Sequence, residues 1–326
     1  MTIPDILMIA PMPPSVIGAL ASRFTLHRLW EQAGPDAYLA EVAPRIRGLA
    51  ANTLAGPVTP ALLDRLPALE IIASFGVGYE HIDAADAARR GIVVTNTPGV
   101  LDDEVADLTL GLLLATVRRL PQADRFLREE RWEKGAFPLS PTLRGRRIGI
   151  LGLGAIGKAI ARRLEGFGVA IAYHARHPQP DIAYAYHPTP VALAAASDVL
   201  IVVVPGGAAT RHMVDAEVLM ALGSDGILIN VARGSVVDEA ALLLALDDGT
   251  ILAAGLDVFA DEPHVPRGLM AHPNTVLLPH LGSATHATRA AMGQLVVDNL
   301  VSWFERGEAV TPVKESESLI SSSSRA

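Results

Sequence analysis

The chain has 326 residues, 50% of them hydrophobic and 19% charged, with 27 Lys and Arg against 35 Asp and Glu for a net charge of -8. That acidic balance argues against nucleic acid or an anionic membrane as a bulk partner, and the length exceeds what one core usually fills, so two domains are expected. Zero cysteines exclude disulfides, thiolate catalysis and cysteine-bound metals, and fit a reducing, cytoplasmic setting.

The opening MTIPDILMIAPMPP lacks a basic segment and a cleavage site, so no signal peptide is expected. Apolar, β-rich segments at 6–10, 24–29, 47–51, 69–75 and 92–96 alternate with helical patterns at 15–22, 36–43, 60–66 and 83–90, which predicts a small parallel sheet. The loop 75–83, FGVGYEHID, follows an apolar strand. It admits two readings: a tight turn, or a glycine turn whose backbone N–H groups hold a small carboxylate.

Thr97-Pro98-Gly99 breaks the pattern and marks the first crossing between domains. A long helix is predicted over 103–120, apolar around most of its circumference through Val105, Ala106, Leu108, Leu110, Leu112, Leu113, Leu114 and Val117. Residues 121–142 follow as a projecting loop or arm carrying Phe126, Leu127, Trp132 and Phe137. A helix with more apolar surface than one sheet needs, next to an arm rich in aromatics, predicts a homodimer.

The stretch 143–176 organises the second half. A strand at 147–151 runs into Gly152-Leu153-Gly154-Ala155-Ile156-Gly157, a helix follows over 158–167, and a second strand lies at 169–173. In such a βαβ unit Gly152 permits the tight turn, Gly154 lets a pyrophosphate approach the backbone and Gly157 lets helix and strand lie close, while the helix N-terminus offers free N–H groups. Further strands are predicted at 199–204, 226–231, 252–258 and 275–278, with helices at 189–196, 215–222 and 237–247. The most apolar run, 191–205, is interrupted by Asp198 and too short to span a bilayer. A last helix over 284–306 returns the chain to the first domain, and the serine-rich segment from 314 is expected to be disordered.

Three polar groups follow the C-terminal ends of apolar strands: Arg233 after ILINVA, Glu262 after LDVFAD and His280 after NTVLLP. Singly, a strand-end Arg or Glu is more often solvated or ion-paired, and His280 is one of ten histidines. Together they deliver a cation, a carboxylate and an imidazole to the sheet edge where open α/β folds bind ligands. Reducing a 2-oxo acid requires such a set beside a hydride donor: a planar guanidinium to grip the carboxylate, and an imidazole to protonate the nascent alkoxide. His272, His280 and His286 lack the helical spacing of metal ligands, so no metal is expected.

The blocks NTPGVLDDEVADLTLGLLLA, LGLGAIGKAIARRL, NVARGSVVDEAAL, GLDVFADEP and LPHLGSATHATR resemble the D-isomer-specific 2-hydroxyacid dehydrogenases, most closely the glyoxylate/hydroxypyruvate reductases. The resemblance implies an α/β fold of two Rossmann-like, doubly wound parallel-sheet domains with the active site in the cleft between them. It implies a substrate domain at 1–98 completed by 288–314, a dinucleotide domain at 99–287 and a disordered tail at 315–326. By motif, Arg233 binds substrate, His280 is the proton donor and Glu262 tunes it. The backbone of Val77 and Gly78 is implied to contact the substrate carboxylate, and Trp132 to cap a substrate site from a partner subunit. The implied cofactor contacts are Gly152, Gly154, Ala155, Ile156, Gly157, His174, Arg176, Pro205, Thr210, Val231, Asp257 and Gly282.

Two departures from the family pattern stand out. Where NAD-preferring relatives carry an acidic residue, this chain has Tyr173-His174-Ala175-Arg176-His177, which points to NADP(H), with NAD(H) still possible. The loop 205–210, PGGAAT, replaces a bulkier one. Other members of the family, of D-lactate or phosphoglycerate type, and a non-catalytic dinucleotide-sensing protein are the alternatives. The short segment after the last helix is expected to leave no room for the regulatory domain that phosphoglycerate dehydrogenases often bear.

Overall fold

The computed structural model describes residues 3–52 and 56–323. Two compact units divide the chain: Met1–Leu101 with Thr285–Ala326, and Asp102–Ala284.

Among the described residues of the first unit, β1 (Asp5–Met8), β2 (Thr25–Arg28), β3 (Ile46–Asn52), β4 (Ile71–Phe75) and β5 (Val93–Thr95) form a parallel sheet in the order β2-β1-β3-β4-β5. Both faces are covered, which is why the strands read as continuous apolar runs rather than alternating ones. Leu7, Leu49, Ile72 and Val94 point to one side, into a core shared with Leu39, Leu63 and Ala87 of the short helices Pro35–Val42, Pro60–Asp64 and Ala84–Arg89. On the other side the long helix His286–Arg306 crosses β3 at Gly48, where a Cβ would press on Ile6, Leu300 at 3.2 Å and Phe304 at 3.3 Å.

The same helix anchors the returning chain through Asn299, which is fully buried. Its Nδ2 donates to Leu295 O at 2.8 Å and to Thr311 Oγ1 at 2.9 Å, and its Oδ1 accepts from the N–H groups of Val310 and Thr311, both at 3.0 Å. Thr311 passes the link on: its carbonyl accepts from Asn96 N at 3.2 Å. The edge strand β5 needs partners on its open side, and the chain from 311 onward supplies them. Val313 N donates to Val94 O, and Val94 N donates to Ser316 Oγ at 2.9 Å. This corrects the expectation of a disordered tail over its first part, because Lys314–Ser316 forms a 3-10 turn and Glu317–Ser323 a helix. A serine-rich composition carries no apolar periodicity, but here a serine hydroxyl serves as an acceptor for an edge strand. Residues 324–326 of that expectation lie outside the described residues.

In the second unit, β6 (Arg147–Leu151), β7 (Ala170–His174), β8 (Ala185–Tyr186), β9 (Val199–Val202), β10 (Ile227–Asn230), β11 (Ala253–Leu256) and β12 (Thr275–Leu277) form a parallel sheet in the order β12-β11-β10-β9-β6-β7-β8. The order reverses between β6 and β9, so a crevice opens beyond their C-terminal ends, where such sheets take up ligands. Strand β8 has only two residues and no pattern to reveal it. The helix Asp102–Arg118 rests on β11 at Gly255, where a Cβ would come within 3.0 Å of Leu112. The arm expected after this helix is instead helical over Leu120–Arg128. Pro121 lies in the first turn, where its missing N–H costs nothing, so it starts the helix rather than ending it.

Asn299 satisfies four polar groups at once, so its removal strands buried donors and acceptors. Asn299→Ala is expected to lower unfolding free energy by about 2–4 kcal/mol, read from urea denaturation followed by circular dichroism. A loss under about 0.5 kcal/mol would show that water replaces the network.

Candidate active site

The C-terminal ends of β10, β11 and β12 lie at one sheet edge, in register Asn230–Leu256–Leu277. Arg233 follows the first, Asp257 and Glu262 the second and His280 the third, so the three strand-end groups are brought together. At the first end the Asn230 side chain clamps the turn: its Nδ2 donates to Arg233 O at 3.1 Å and its Oδ1 accepts from Ala232 N at 3.1 Å. Arg233 Nη1 donates to Ala232 O at 2.7 Å. Gly234 then lies flat against the loop from β11, where a Cβ would overlap the backbone of Phe259 and Ala260. A glycine after Arg233 is thus required for the guanidinium turn and the Glu262 loop to touch.

Glu262 accepts from Phe259 N at 3.0 Å through Oε1 and meets His280 Nδ1 at 2.7 Å through Oε2. Burial pushes its carboxyl upward, but the hydrogen bond from His280, the Phe259 amide and the charges of His280 and Arg233 outweigh this and hold it below the usual carboxylate range. An ionised carboxylate only accepts, so Nδ1 of His280 carries the proton and donates it. Nε2 is left as the nitrogen that can exchange a proton with a substrate.

His280 has φ 54, a left-handed conformation that costs a non-glycine residue about 1–3 kcal/mol. Asp257 holds it there. Its backbone carbonyl accepts from His280 N at 2.8 Å, and its two carboxylate oxygens accept from Leu281 N at 2.6 Å and Gly282 N at 2.9 Å. Burial raises the Asp257 carboxyl, and the amides of Leu281 and Gly282 oppose the rise. The expected role of Asp257 in contacting a nicotinamide is a proposal; its structural role is to fix the histidine turn.

The glycine turn after β6 separates two causes for glycine. A Cβ on Gly152 (φ 105) would meet Val203 and Val204 at 2.9–3.0 Å, and one on Gly157 would overlap Gly152 O. Packing within the protein therefore requires both. A Cβ on Gly154 would meet no atom within 4 Å, so nothing in the protein demands this glycine, and the space above it is what a pyrophosphate needs. Ala155 and Ile156 open the helix Ala155–Glu165 and direct its first N–H groups at that space. Gln179 braces the turn from outside through Nε2 to Leu153 O at 2.8 Å.

At the end of β7 His174 donates Nδ1–H to His187 O at 2.9 Å and stacks on Tyr186. Arg176 is exposed and, among the described residues, has no ion-pair partner. Thr210 closes the loop after β9 by donating Oγ1–H to Pro205 O at 2.7 Å, and Val231 N donates to Val202 O at 3.2 Å beside it. Trp132 lies on the 3-10 turn Arg131–Lys134, 67% exposed. The neighbouring aromatics differ from the expectation of an exposed set, because Phe126 is buried edge-on against Phe137 with the Arg131 guanidinium over it.

In the first unit the loop after β4 supports the amide reading. Gly76 O accepts from Thr97 N at 2.9 Å and Val77 O from Asn96 Nδ2 at 2.8 Å. In a trans peptide the N–H points opposite to the carbonyl, so the N–H groups of Val77 and Gly78 face away from 96–97. Among the described residues neither has a partner. Adjacent N–H groups without a protein partner are the donors from which anion-binding concavities are built. Asn96, Asn230 and Asn299 escaped the sequence reading, although Asn96 and Asn230 each open a quoted motif block directly at a strand end.

Fold and site together define a two-unit α/β protein built to bind a dinucleotide beside a guanidinium, a carboxylate and an imidazole. Residues 110–282 match the family model of the NAD-binding domain of D-isomer-specific 2-hydroxyacid dehydrogenases. The chain is 46% identical to a glyoxylate/hydroxypyruvate reductase of Arabidopsis thaliana over 94% of its own length and 98% of that protein's. It is 44% identical to a hydroxyphenylpyruvate reductase of Plectranthus scutellarioides, again over 94% and 98%. The crystal structure of an NADPH-dependent glyoxylate/hydroxypyruvate reductase of Sinorhizobium meliloti, in complex with NADP and malonate, superposes with a TM-score of 0.90 at 52% identity, covering 97% of this chain and 98% of that one. The chain belongs to the D-isomer-specific 2-hydroxyacid dehydrogenase family.

The lowered Glu262 carboxyl fixes the sign of one pH dependence. A folded-state value below the unfolded one contributes stability that is present above the ordinary 4.5 and lost as pH falls through the lowered value. Asp257, raised chiefly by burial, acts in the opposite sense, and because the charge of Glu262 is the last of its causes its contribution changes little in the variant. The melting temperature of wild type is therefore expected to fall more steeply than that of Glu262→Gln below about pH 4.5, measured by scanning fluorimetry. Parallel curves would mean that the His280 contact adds nothing to the fold.

Proposed function

We propose that this chain is a cytoplasmic, NADPH-dependent reductase of small 2-oxo acids, of which glyoxylate and hydroxypyruvate are the leading substrates, and that NADH serves less well. The observation that carries the reading is the Glu262–His280 hydrogen bond of 2.7 Å at the sheet edge that also presents Arg233. The open space over Gly154, the family membership and the NADP-bound relative support the cofactor.

When bound, the reduced nicotinamide supplies the hydride that reaches the keto carbon. Arg233 grips the substrate carboxylate and polarises the carbonyl, with the N–H groups of Val77 and Gly78 as further donors to the carboxylate. His280 Nε2 delivers its proton to the oxygen as negative charge develops there, giving the 2-hydroxy acid of D configuration. Glu262 stabilises the imidazolium before that transfer and keeps Nε2 directed outward. His174 and Arg176 would hold the ribose end of the cofactor, Arg176 supplying a charge-assisted donor for a 2′-phosphate. Pro205, Thr210, Val231, Asp257 and Gly282 would make up the rest of the cofactor site. The first unit acts as the substrate domain and the second as the dinucleotide domain.

The working form in this reading is a homodimer. Leu108, Leu110 and Leu114 stay only half-covered on the helix Asp102–Arg118, and Leu127 and Trp132 nearby in the chain are 55% and 67% exposed. Trp132 is the candidate lid over a partner's substrate. The cysteine-free composition supports the reducing compartment.

His280→Ala is expected to lower kcat for glyoxylate by about 10²–10⁴ while leaving the NADPH Kd, measured by nicotinamide fluorescence, within about threefold. Near-normal turnover would remove His280 from the chemistry. Arg176→Ala should lower kcat/KM for NADPH about tenfold relative to NADH; an unchanged ratio would mean that Arg176 is only a solvated cation. Sedimentation at micromolar concentration should give a dimer, and a monomer there refutes the assembly. A Trp132→Ala variant with wild-type KM and kcat would reject the lid alone.

A further inference from the structure

One cation of the first unit has no task in the mechanism above. Arg289 sits in the first turn of the helix His286–Arg306, half-buried, with its guanidinium carbon 5.6 Å from the centre of the Phe75 ring. Phe75 is the last residue of β4 and directly precedes the Gly76-Val77-Gly78 turn. The same helix approaches the ring again one turn later, since a Cβ on Gly293 would lie 3.8 Å from it. The guanidinium is thus fixed at the end of β4 that carries the two unpartnered N–H groups.

Among the described residues, the Arg289 guanidinium has no carboxylate or hydrogen-bond partner. The ring face contributes a cation–π contact, which takes up none of its five N–H donors. Burial lowers its pKa from the ordinary guanidinium value, and among the described residues no carboxylate offsets the loss of water. A guanidinium half withdrawn from water without a paired carboxylate carries a desolvation cost that a cation–π contact offsets only in part. Structural reasons alone would be met by an apolar residue over Phe75.

The donors already assigned saturate a single carboxylate. Arg233 offers a bidentate fork and Val77 and Gly78 two amides, against about four lone-pair sites. A substrate with one carboxylate and nothing further leaves Arg289 without a partner. The two relatives described above bear names that differ in the group beyond the keto carbon.

We infer that Arg289 is a specificity-determining residue that receives a second acceptor group of the substrate, a hydroxyl or carboxylate on the carbon beyond the carbonyl. The favoured substrates are accordingly 2-oxo acids with a polar tail rather than unsubstituted ones. This rests on the reductase reading for its kinetic form, but the binding of a dicarboxylate tests it without turnover.

The experiment uses the full-length protein with Arg289→Gln and Arg289→Lys, each checked by its melting temperature and its NADPH Kd. Arg289→Gln is expected to lower kcat/KM for hydroxypyruvate about tenfold more than for glyoxylate, mainly through KM, and Arg289→Lys to recover part of that ratio. In parallel, malonate should raise the melting temperature of wild type and of Arg289→Lys more than that of Arg289→Gln, whereas acetate should shift all three alike. Equal losses for both 2-oxo acids, or equal protection by malonate in wild type and Arg289→Gln, would overturn the inference. If wild type reduces no 2-oxo acid, the reductase reading falls and the malonate arm alone decides the place of Arg289.

Discussion

A carboxylate taken out of water must be repaid by donors, and Asp257, at 1% exposure, is repaid by the backbone of the next strand end. Its oxygens take the Leu281 and Gly282 amides, and its carbonyl takes the His280 amide. Those three bonds hold His280 in a left-handed conformation that an unsupported histidine would leave. In that conformation Nδ1 meets Glu262 at 2.7 Å, which leaves Nε2 as the ring nitrogen outside that bond. The imidazole is therefore positioned by a residue that does not touch it through a side-chain bond.

The acidic groups near the site fall into two kinds. Asp257 is raised by burial, while Glu262, also partly buried, is held low by His280, the Phe259 amide and Arg233. Glu239 belongs with the first: burial raises it, and it accepts from Ala260 N at 2.8 Å on the loop that leads to Glu262. One carboxylate is paired with an imidazole and two hold loops. The separation follows from environment, because the one beside charged partners is held low, whereas the amides met by the others do not offset their burial.

The first unit builds its candidate anion site from asparagines. Asn299 fixes Thr311, Thr311 fixes Asn96, and Asn96 fixes the Val77 carbonyl, which turns the Gly78 N–H outward. Each asparagine satisfies a backbone group that a side-chain change would strand. The network is the means by which a helix in the last part of the chain decides the direction of amides near residue 77.

Hydrophobic periodicity and glycine spacing made most strands, the long helices and the dinucleotide turn legible, since strands buried on both faces must be apolar and the Gly152–Gly157 contact tolerates no side chain. Arg233, Glu262 and His280 were visible too, because strand ends in a parallel sheet share one edge. Other features were not local. The short strand β8 has no pattern, Pro121 starts a helix that its neighbours disguise as a loop, and the tail gains structure from an edge strand more than two hundred residues earlier in the chain. Likewise the absence, among the described residues, of a partner for the Arg289 guanidinium and the left-handed turn at His280 depend on which groups the fold brings near and which it keeps away. The sequence determined which polar residues stand at the strand ends; the tertiary structure decided their orientation, because hydrogen bonds between distant backbone segments leave no periodic trace along the chain.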